Sequence, residues 1–186
     1  MKNIAVFLDR DGTINEENNF ISNPDEVVLI PKSAEAIREL NQRAIKVFVI
    51  SNQSGIARGY FSENDLQKVN QRLLHLLKKE DAFVDKIYYC PHVDEDNCDC
   101  RKPKPGMLKQ AEQEFNIDLK NSYVIGDRFV DVDAGKNISA KTILVKTGYG
   151  EQSFKWGKEN NQHADFTAQN LFEGIQWILK QIKMQN

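Results

Sequence analysis

The sequence has few of the features that mark secreted, membrane-spanning or nucleic-acid-binding proteins. Only three of its 186 residues are cysteine, and an odd number does not suit a secreted disulfide framework. No apolar run approaches the roughly 18 residues that a membrane span requires. The net charge is −2 with both signs mixed along the chain, whereas a nucleic-acid binder normally carries a basic face. We therefore expect neither nucleic acid nor a membrane as a partner.

The N-terminal segment also lacks a secretion signal. The short apolar run at residues 4–8 has neither the longer apolar region nor the small-residue cleavage site of a signal peptide, which predicts a cytoplasmic protein. The composition, 40% apolar and 28% charged, is that of a soluble globular protein. A chain of this length suits one domain with a sizeable core. We expect a single domain over residues 1–186, acting as a monomer.

What the sequence does contain is a regular alternation of short β-rich runs and longer amphipathic segments. Strands are predicted at residues 4–8, 46–51, 87–89, 123–125, 142–145 and, as a short edge strand, 165–166. Helices are predicted at residues 33–42, 62–79, 105–115, 132–137 and 171–182. Ser33 is expected to cap the first helix, Ser62 and Asp65 to form a capping box, and residues 148–163 to be a mobile loop. The alternation indicates parallel strands with right-handed crossovers, and hence a three-layer α/β sandwich around a central parallel sheet.

Polar side chains follow the predicted strands at the points where they end. These residues are Asp9, Asp11, Ser51, Asn52 and Asp127, with Lys102 in the loop after the third strand and Asp131 one turn beyond Asp127. Ligands of open α/β sheets bind just outside the carboxyl ends of the strands. We therefore expect these side chains to share one site.

The residue types of this set suit phosphoryl transfer. Carboxylate oxygens bind Mg²⁺, and the metal together with Lys102 can neutralise charge on a transferring phosphoryl group. One carboxylate can attack phosphorus and form an aspartyl-phosphate, while a second acts as general acid and base. Strand alternation would place Asp9 and Asp11 on one side and point Arg10 away.

Taken alone, the segment Asp9–Gly12 is explained equally well as a turn, because Asp and Gly are common turn residues. A calcium-binding EF-hand loop is excluded, since its glycine is sixth and follows a helix, whereas Gly12 is fourth and follows a strand. The ordered combination with the later residues favours a phosphoryl-transfer site.

Four ordered motifs resemble those of the haloacid dehalogenase-like phosphatases. They are Asp9-Arg10-Asp11-Gly12-Thr13, Ser51-Asn52, Lys102, and Gly126-Asp127 with Asp131. The resemblance implies a Rossmann-like fold. The spacing between the first two motifs and after the second leaves no room for a large cap domain, so we expect an open site.

The same resemblance implies roles for individual residues. Asp9 would be the nucleophile and Asp11 the general acid/base, with Ser51 and Lys102 stabilising the phosphoryl group. Mg²⁺ would be bound at Asp9, Asp11 (through its backbone carbonyl) and Asp127.

A second cluster contains all three cysteines. Cys90, His92, Cys98 and Cys100 form a Cys₃His set that fits tetrahedral structural zinc, although the one-residue gaps are tighter than usual. A reduced, exposed cysteine cluster is the alternative. Only Val93 is apolar inside the loop at about residues 90–104, so burial can contribute little order and zinc would supply the missing folding energy.

Around these cysteines, the stretches at residues 88–92 and 98–107 resemble a zinc-containing subgroup of these phosphatases. That subgroup comprises the D-glycero-D-manno-heptose 1,7-bisphosphate 7-phosphatases and the histidinol-phosphate phosphatases. Residues 51–59 resemble the heptose enzymes, which implies hydrolysis of the C7 phosphate of the heptose bisphosphate through an aspartyl-phosphate. The short loop between His92 and Cys98 is similar instead to the histidinol phosphatases.

Contacts to a small phosphorylated substrate are expected from five further side chains. Arg101 can offer a two-pronged contact to a second, non-reacting phosphate, although a solvated surface charge is the alternative. The other candidates are Asn52, Gln53, Ser54 and Arg128.

Other functions remain open at this point. The same fold could act on histidinol phosphate or another sugar phosphate, or could transfer the phosphate to an acceptor other than water. A non-catalytic, zinc-stabilised binding module is the alternative of a different class. The intact set of Asp9, Asp11, Lys102 and Asp127 argues against that module.

Overall fold

Each strand of the sheet is a short apolar run bounded by polar residues. The computed structural model describes residues 3–185. The strands are β1 (Ala5–Leu8), β2 (Lys46–Asn52), β3 (Lys86–Cys90), β4 (Tyr123–Gly126), β5 (Lys141–Val145) and β6 (Phe166–Ala168). The helices are α1 (Ser33–Asn41), α2 (Glu63–Lys79), α3 (Gly106–Phe115), α4 (Phe129–Lys136), α5 (Gly150–Glu159) and α6 (Leu171–Gln185).

The strands form one parallel sheet whose order reverses at β1. The spatial order is β3-β2-β1-β4-β5-β6, and every neighbouring pair is parallel. The chain first builds outward from β1 through β2 to β3, and then returns to add β4 on the other side of β1. A crevice forms where the order reverses, outside the carboxyl ends of β1 and β4, and this is where open α/β sheets bind ligands.

Alternate strand residues supply the two faces of the sheet. Val6 and Leu8 of β1 pack with α1, α2 and α6 in one apolar cluster, whereas Ala5 and Phe7 pack with α3 and α4 in another. Burial of both sheet faces explains why the strands are apolar at successive positions. The predicted three-layer α/β sandwich is confirmed.

The local signals proved accurate at some helix starts and wrong at others. Ser62 and Asp65 form the predicted capping box ahead of α2. Ser33, by contrast, is the first residue of α1 rather than its cap, and its hydroxyl is buried without a partner. Lys32 occupies the capping position in a left-handed conformation with φ of 66°. α4 begins at Phe129, three residues before its predicted start.

The mobile loop predicted at residues 148–163 is wrong, because α5 occupies most of it. Tertiary contacts stabilise this polar segment as a helix. The rings of Trp156 and Phe129 lie 5.2 Å apart, and the ammonium groups of Lys146 and Lys158 lie 4.6 and 4.4 Å from the centroid of Phe154. The contacts with Phe129 and Lys146 come from outside the helix and could not be deduced from a mostly polar composition.

Among the described residues, the connections at the carboxyl edge of the sheet are too short to form a further domain. Within the described residues, the longest are residues 9–32, which include a 3-10 turn at Pro24–Glu26, and residues 91–105. Neither approaches the roughly 50 residues of a small domain.

Across residues 3–185, no helix is both long and apolar enough to cross a membrane.

Candidate active site

Asp9 and Asp127 lie directly after β1 and β4, at the point where the strand order reverses. The backbone N–H of Asp9 donates to the carbonyl of Ile125 at 2.9 Å, which ties the two strand ends together. Gly12, with φ of 80°, and Gly148 pack so closely on Asp127 that a Cβ at either position would overlap its carboxylate. The Asp127 side chain also accepts a hydrogen bond from the N–H of Tyr149 at 2.7 Å. Asp127 is therefore held rigidly.

Lys102 is the cation of the site and uses all three of its N–H donors. Nζ donates to Oδ1 of Asp9 and to Oδ1 of Asp131, both at 2.6 Å, and to the carbonyl of Ile50 at 2.8 Å. Only 4% of the lysine is exposed. A buried ammonium group is stable only when it is paired, so its two carboxylate partners hold Lys102 in place.

The remaining charges of the cluster are not balanced by protein groups. The carboxylates of Asp9, Asp127 and Asp131 each offer an oxygen within 4.8 Å of the others, and Lys102 contributes one positive charge. When all three carboxylates are ionised, Lys102 compensates one negative charge and an excess of two remains within the cluster. Hard oxygen donors with an excess of two negative charges fit a divalent cation such as Mg²⁺. Asp9, Asp127 and Asp131 are therefore able to hold one.

The same crowding shifts the pKa values of these groups. The pKa of Asp9 is raised to about 7, because burial and the negative charge of Asp131, which raise it, outweigh the opposing charge of Lys102. Burial and the charges of Asp9 and Asp131 raise the pKa of Asp127 to about 8. Burial lowers the pKa of Lys102, but Asp131 and Asp9 outweigh it, so the net shift is upward.

Asp11 lies apart from this cluster and is held by a different cation. Arg10 donates from Nε to Oδ1 of Asp11 at 3.0 Å and from Nη2 to Oδ2 at 2.8 Å. The expectation that Arg10 points away is wrong, because the chain leaves the extended conformation after Leu8 and the strand alternation ends there. Burial raises the pKa of Asp11, but the charge and hydrogen bonds of Arg10, with bonds from Asn15 and Gln53, lower it overall.

The residues at and just after the second motif form hydrogen bonds mainly with other residues of the site. The Gln53 amide donates to the hydroxyl of Ser51 at 2.7 Å and to Oδ2 of Asp11 at 3.0 Å. Asn52 accepts from the backbone N–H of Lys102 at 3.0 Å and donates to its carbonyl at 3.1 Å. The Asn52 amide thus fixes the backbone that carries Lys102.

These side chains surround one open cavity of about 290 Å³. The predicted residues that line it are Asp9, Asp11, Ser51, Asn52, Gln53, Ser54, Arg101, Lys102, Arg128 and Asp131. Asp127 lies beneath them and is fully buried. The structure therefore brings the predicted catalytic and substrate-contacting residues together at the edge of the sheet.

The two arginines at the cavity differ in their partners. Arg101 donates to Oδ1 of Asp94 at 2.6 Å and to the carbonyl of His92 at 3.2 Å. The guanidinium of Arg128 lies 3.9 Å from the ring centroid of Tyr149. Asp94 is 79% exposed, so its pairing with Arg101 is a surface ion pair that a second anion can displace.

Sequence reasoning missed several groups that support the site, among them Arg10 and the backbone of Tyr149. Arg10 is only 1% exposed, yet a charged residue between two carboxylates gives no sequence signal that distinguishes a buried partner from a solvated one. The backbone of Tyr149 holds Asp127 from a connection 22 residues further along the chain. Gly148 and Gly150, which flank Tyr149, are local signals of a close backbone approach, but they do not show which residue is approached.

The cysteine cluster lies at the end of β3, next to the cavity. The three sulfurs are 3.1–3.5 Å apart, well beyond the roughly 2.05 Å of a disulfide bond. Nδ1 of His92 lies 3.5 Å from the sulfur of Cys90 and 3.4 Å from that of Cys100. Cys90 is buried and Cys98 and Cys100 are half-buried, so the cluster is not the exposed one of the alternative interpretation. Four converging soft ligands of this kind could hold a zinc ion.

Known proteins share both the sequence and the fold. Residues 99–173 match a family model described as HAD-hydrolase-like. The D-glycero-beta-D-manno-heptose-1,7-bisphosphate 7-phosphatase of Haemophilus influenzae is 42% identical over 97% of this chain and 99% of its own. The D-glycero-alpha-D-manno-heptose-1,7-bisphosphate 7-phosphatase of Campylobacter jejuni is 42% identical over 78% of this chain and 83% of its own.

A solved structure extends the similarity to three dimensions. The D,D-heptose 1,7-bisphosphate phosphatase of B. bronchiseptica, complexed with magnesium and phosphate, superposes with a TM-score of 0.88 and 32% identity. The match covers 97% of this chain and 99% of that one. With the identities above, the chain belongs to the heptose-1,7-bisphosphate 7-phosphatase family of the HAD-like hydrolases.

Proposed function

We propose that the protein hydrolyses the C7 phosphate of D-glycero-D-manno-heptose 1,7-bisphosphate, with Asp9 as the nucleophile. The observation that carries the proposal is the position of the Asp9 carboxylate, which lines the cavity and lies 2.6 Å from the ammonium of Lys102. Family relatives named for this reaction support the substrate.

Asp9 begins the reaction by attacking phosphorus. A bond forms between the carboxylate oxygen and phosphorus, the bond from phosphorus to the C7 oxygen breaks, and the leaving alkoxide takes a proton from Asp11. Asp11 then accepts a proton from water, whose oxygen attacks the aspartyl-phosphate and releases inorganic phosphate. Each residue returns to its starting state.

Positive charge and hydrogen-bond donors support the transferring group. Lys102 and the hydroxyl of Ser51 are assigned to the phosphoryl oxygens, where negative charge builds up. Mg²⁺ is assigned to Asp9, Asp127 and the backbone carbonyl of Asp11, where it would supply further charge neutralisation. Asp131 is assigned to holding Lys102, its partner at 2.6 Å.

The phosphate that stays on the sugar is assigned to Arg101. Its guanidinium can bind a phosphate with two hydrogen bonds once it releases the exposed Asp94. Arg128, Ser54 and Gln53 line the same cavity and are assigned to other polar groups of the substrate. Asn52 is assigned a positioning role, since its amide is bonded to the Lys102 backbone.

Zinc is assigned to Cys90, His92, Cys98 and Cys100, as a structural ion separate from the catalytic magnesium. We assign the whole chain, residues 1–186, to a single phosphatase domain that acts as a cytoplasmic monomer. Neither nucleic acid nor a membrane is assigned as a partner.

Histidinol phosphate is the second candidate substrate. The observation in its favour is the short segment between His92 and Cys98, which folds as one 3-10 turn at Asp94–Asp96. Asp94 of that turn is paired with Arg101. A substrate with a single phosphate would leave this pair intact, because it has no second phosphate for Arg101 to bind.

Side-by-side specificity constants test the assignment. The panel contains both anomers of the heptose bisphosphate, histidinol phosphate and several sugar monophosphates, each assayed for released phosphate. We expect the bisphosphate to exceed the others by roughly 10-fold or more, because only it offers Arg101 a charged partner. Higher activity on histidinol phosphate would overturn the assignment of the heptose bisphosphate as the substrate. Transfer of the phosphate to added alcohols in place of water would overturn hydrolysis.

A further inference from the structure

Arg10 is a buried cation to which the proposed chemistry assigns no role. It is 1% exposed, and its guanidinium donates to Asp11 and Asn70. A buried charge is costly unless it is paired, and a pair buried at a reaction centre restricts how its partner can move. The partner here is the carboxylate that transfers the proton.

The carboxylate of Asp11 receives four donors. Oδ1 accepts from Arg10 at 3.0 Å and from Asn15 at 2.9 Å. Oδ2 accepts from Arg10 at 2.8 Å and from Gln53 at 3.0 Å. An ionised carboxylate has about four lone-pair sites, so this one is saturated. Proton transfer to or from the substrate requires that one of these donors leaves.

Gln53 is the donor that can leave. It lines the cavity, and its amide has a second acceptor in the hydroxyl of Ser51 at 2.7 Å. Arg10 and Asn15 do not line the cavity, and both are about 1% exposed. A substrate oxygen that enters the cavity can therefore replace Gln53 on Oδ2 while the other contacts persist.

Arg10 is itself anchored from outside the site. Its Nη1 donates to Oδ1 of Asn70 at 2.9 Å, and Asn70 belongs to α2. The guanidinium is thus held on one side by a helix of the sandwich, and it holds the Asp11 carboxylate on the other with two parallel hydrogen bonds. This planar contact fixes both the position and the plane of the carboxylate.

We propose that Arg10 is a positioning residue that holds the Asp11 carboxylate in place for proton transfer while Gln53 yields its place to the leaving-group oxygen. The inference rests on the proposed role of Asp11. In the transfer, Asp11 acts as the carboxylic acid, with a proton taken from water on Oδ2 at the place that Gln53 has left. The O–H bond then breaks, the leaving oxygen takes the proton, and the carboxylate keeps the electron pair and its contacts with Arg10.

The leaving group of the substrate provides the test. An alkyl phosphate needs a proton on its departing oxygen, whereas p-nitrophenyl phosphate departs as a stable anion and needs little help. We expect Arg10→Lys, which keeps the charge but loses the two-pronged contact, to lower kcat on an alkyl phosphate by roughly 10- to 100-fold. Activity on p-nitrophenyl phosphate should fall by less than about threefold. Arg43→Lys, at an exposed site on the Asn41–Lys46 connection, is the matched control and should change neither activity.

A double-mutant cycle separates positioning from general damage. In an Asp11→Asn background, Arg10→Lys should add no more than about twofold on either substrate, because the group through which it acts is gone. Asn70→Ala is a second variant that leaves Arg10 in place, and it should lower alkyl phosphate turnover several-fold in the same selective way. Equal losses on both substrates, or full additivity with Asp11→Asn, would overturn the inference.

These outcomes are distinct from failure of the proposed function. The comparison uses whichever alkyl phosphates the wild-type protein hydrolyses, so a different natural substrate leaves the test intact. If Asp11→Asn alone lost no more activity on alkyl than on aryl phosphates, Asp11 would not be the acid. The acid role of Asp11 and the positioning role of Arg10 would then both be wrong.

Discussion

The carboxylate cluster and the cysteine cluster lie side by side but are built in opposite ways. Asp9, Lys102 and Asp131 come from distant parts of the chain and meet because parallel strands end at one edge of the sheet. The four soft ligands all lie within residues 90–100, and of these only Cys90 belongs to a strand. The first cluster therefore depends on topology, and the second on local sequence.

This difference indicates what stabilises each region. The carboxylates are held by buried pairing with Lys102 and by hydrogen bonds from the backbone, which form when the sheet forms. The cysteine segment is mostly polar outside its three cysteines, and we expect a bound metal to supply order that burial does not. Lys102 follows Cys100 by two residues, which makes the second region a support for the first.

Asp9→Asn should abolish the function of the carboxylate cluster and leave the cysteine cluster unchanged. We expect turnover to fall by at least ~10⁴-fold, because an amide is a poor nucleophile, with zinc content unchanged. Phosphate release and elemental analysis measure the two effects. Asp25→Asn, an exposed carboxylate in the turn after Asn23, is the control and should retain full activity. Near-normal turnover by Asp9→Asn would rule out covalent catalysis.

Arg101→Ala tests the residue that lies between the two regions. It should lower the specificity constant for the bisphosphate by roughly 10- to 150-fold, the value of a charge-assisted contact of ~1.5–3 kcal/mol, and change that for monophosphates little. Steady-state kinetics on both substrates give the ratio. Arg43→Ala is the matched control. An equal loss on both substrates would show that Arg101 does not bind the second phosphate.

Loss of zinc should disorder the cysteine cluster directly and affect the carboxylate cluster only indirectly. Cys100→Ser should increase hydrogen exchange in residues 90–104 and lower activity roughly 10-fold through displacement of Lys102, the scale of losses at disturbed metal sites. Exchange across the other strands should stay as in the wild type. Zinc-free protein with full activity and an ordered loop would contradict this account.

Asp94→Asn should have the smallest effect, with the opposite sign. The exposed Asp94 competes with phosphate for Arg101, and a surface ion pair is worth ~0–1 kcal/mol. Its removal should lower KM for the bisphosphate by about two- to fivefold and leave kcat unchanged. Asp96→Asn, in the same turn, is the comparison variant. A rise in KM would mean that Asp94 orients Arg101 for the substrate.

How far the sequence predicts each feature depends on the range of the interactions involved. The parallel sheet and the meeting of Asp9, Lys102 and Asp127 follow from strand periodicity, because strand ends of a parallel sheet share an edge. The pairing of Arg10 with Asp11 does not follow, since it depends on how the chain turns after β1 and on Asn70 of α2. The helix α5 was missed for the same reason, because its stabilising contacts come from other elements.

The most direct test of the central claim is to look for phosphate covalently bound to Asp9. Enzyme in excess over a substrate labelled at the reacting phosphate is quenched with acid within one turnover, and the labelled peptide is sequenced. The account predicts a transient label on Asp9 that disappears as inorganic phosphate forms, and none in Asp9→Asn. Release of phosphate in a single turnover with no protein-bound label, or with the label on another residue, would contradict it.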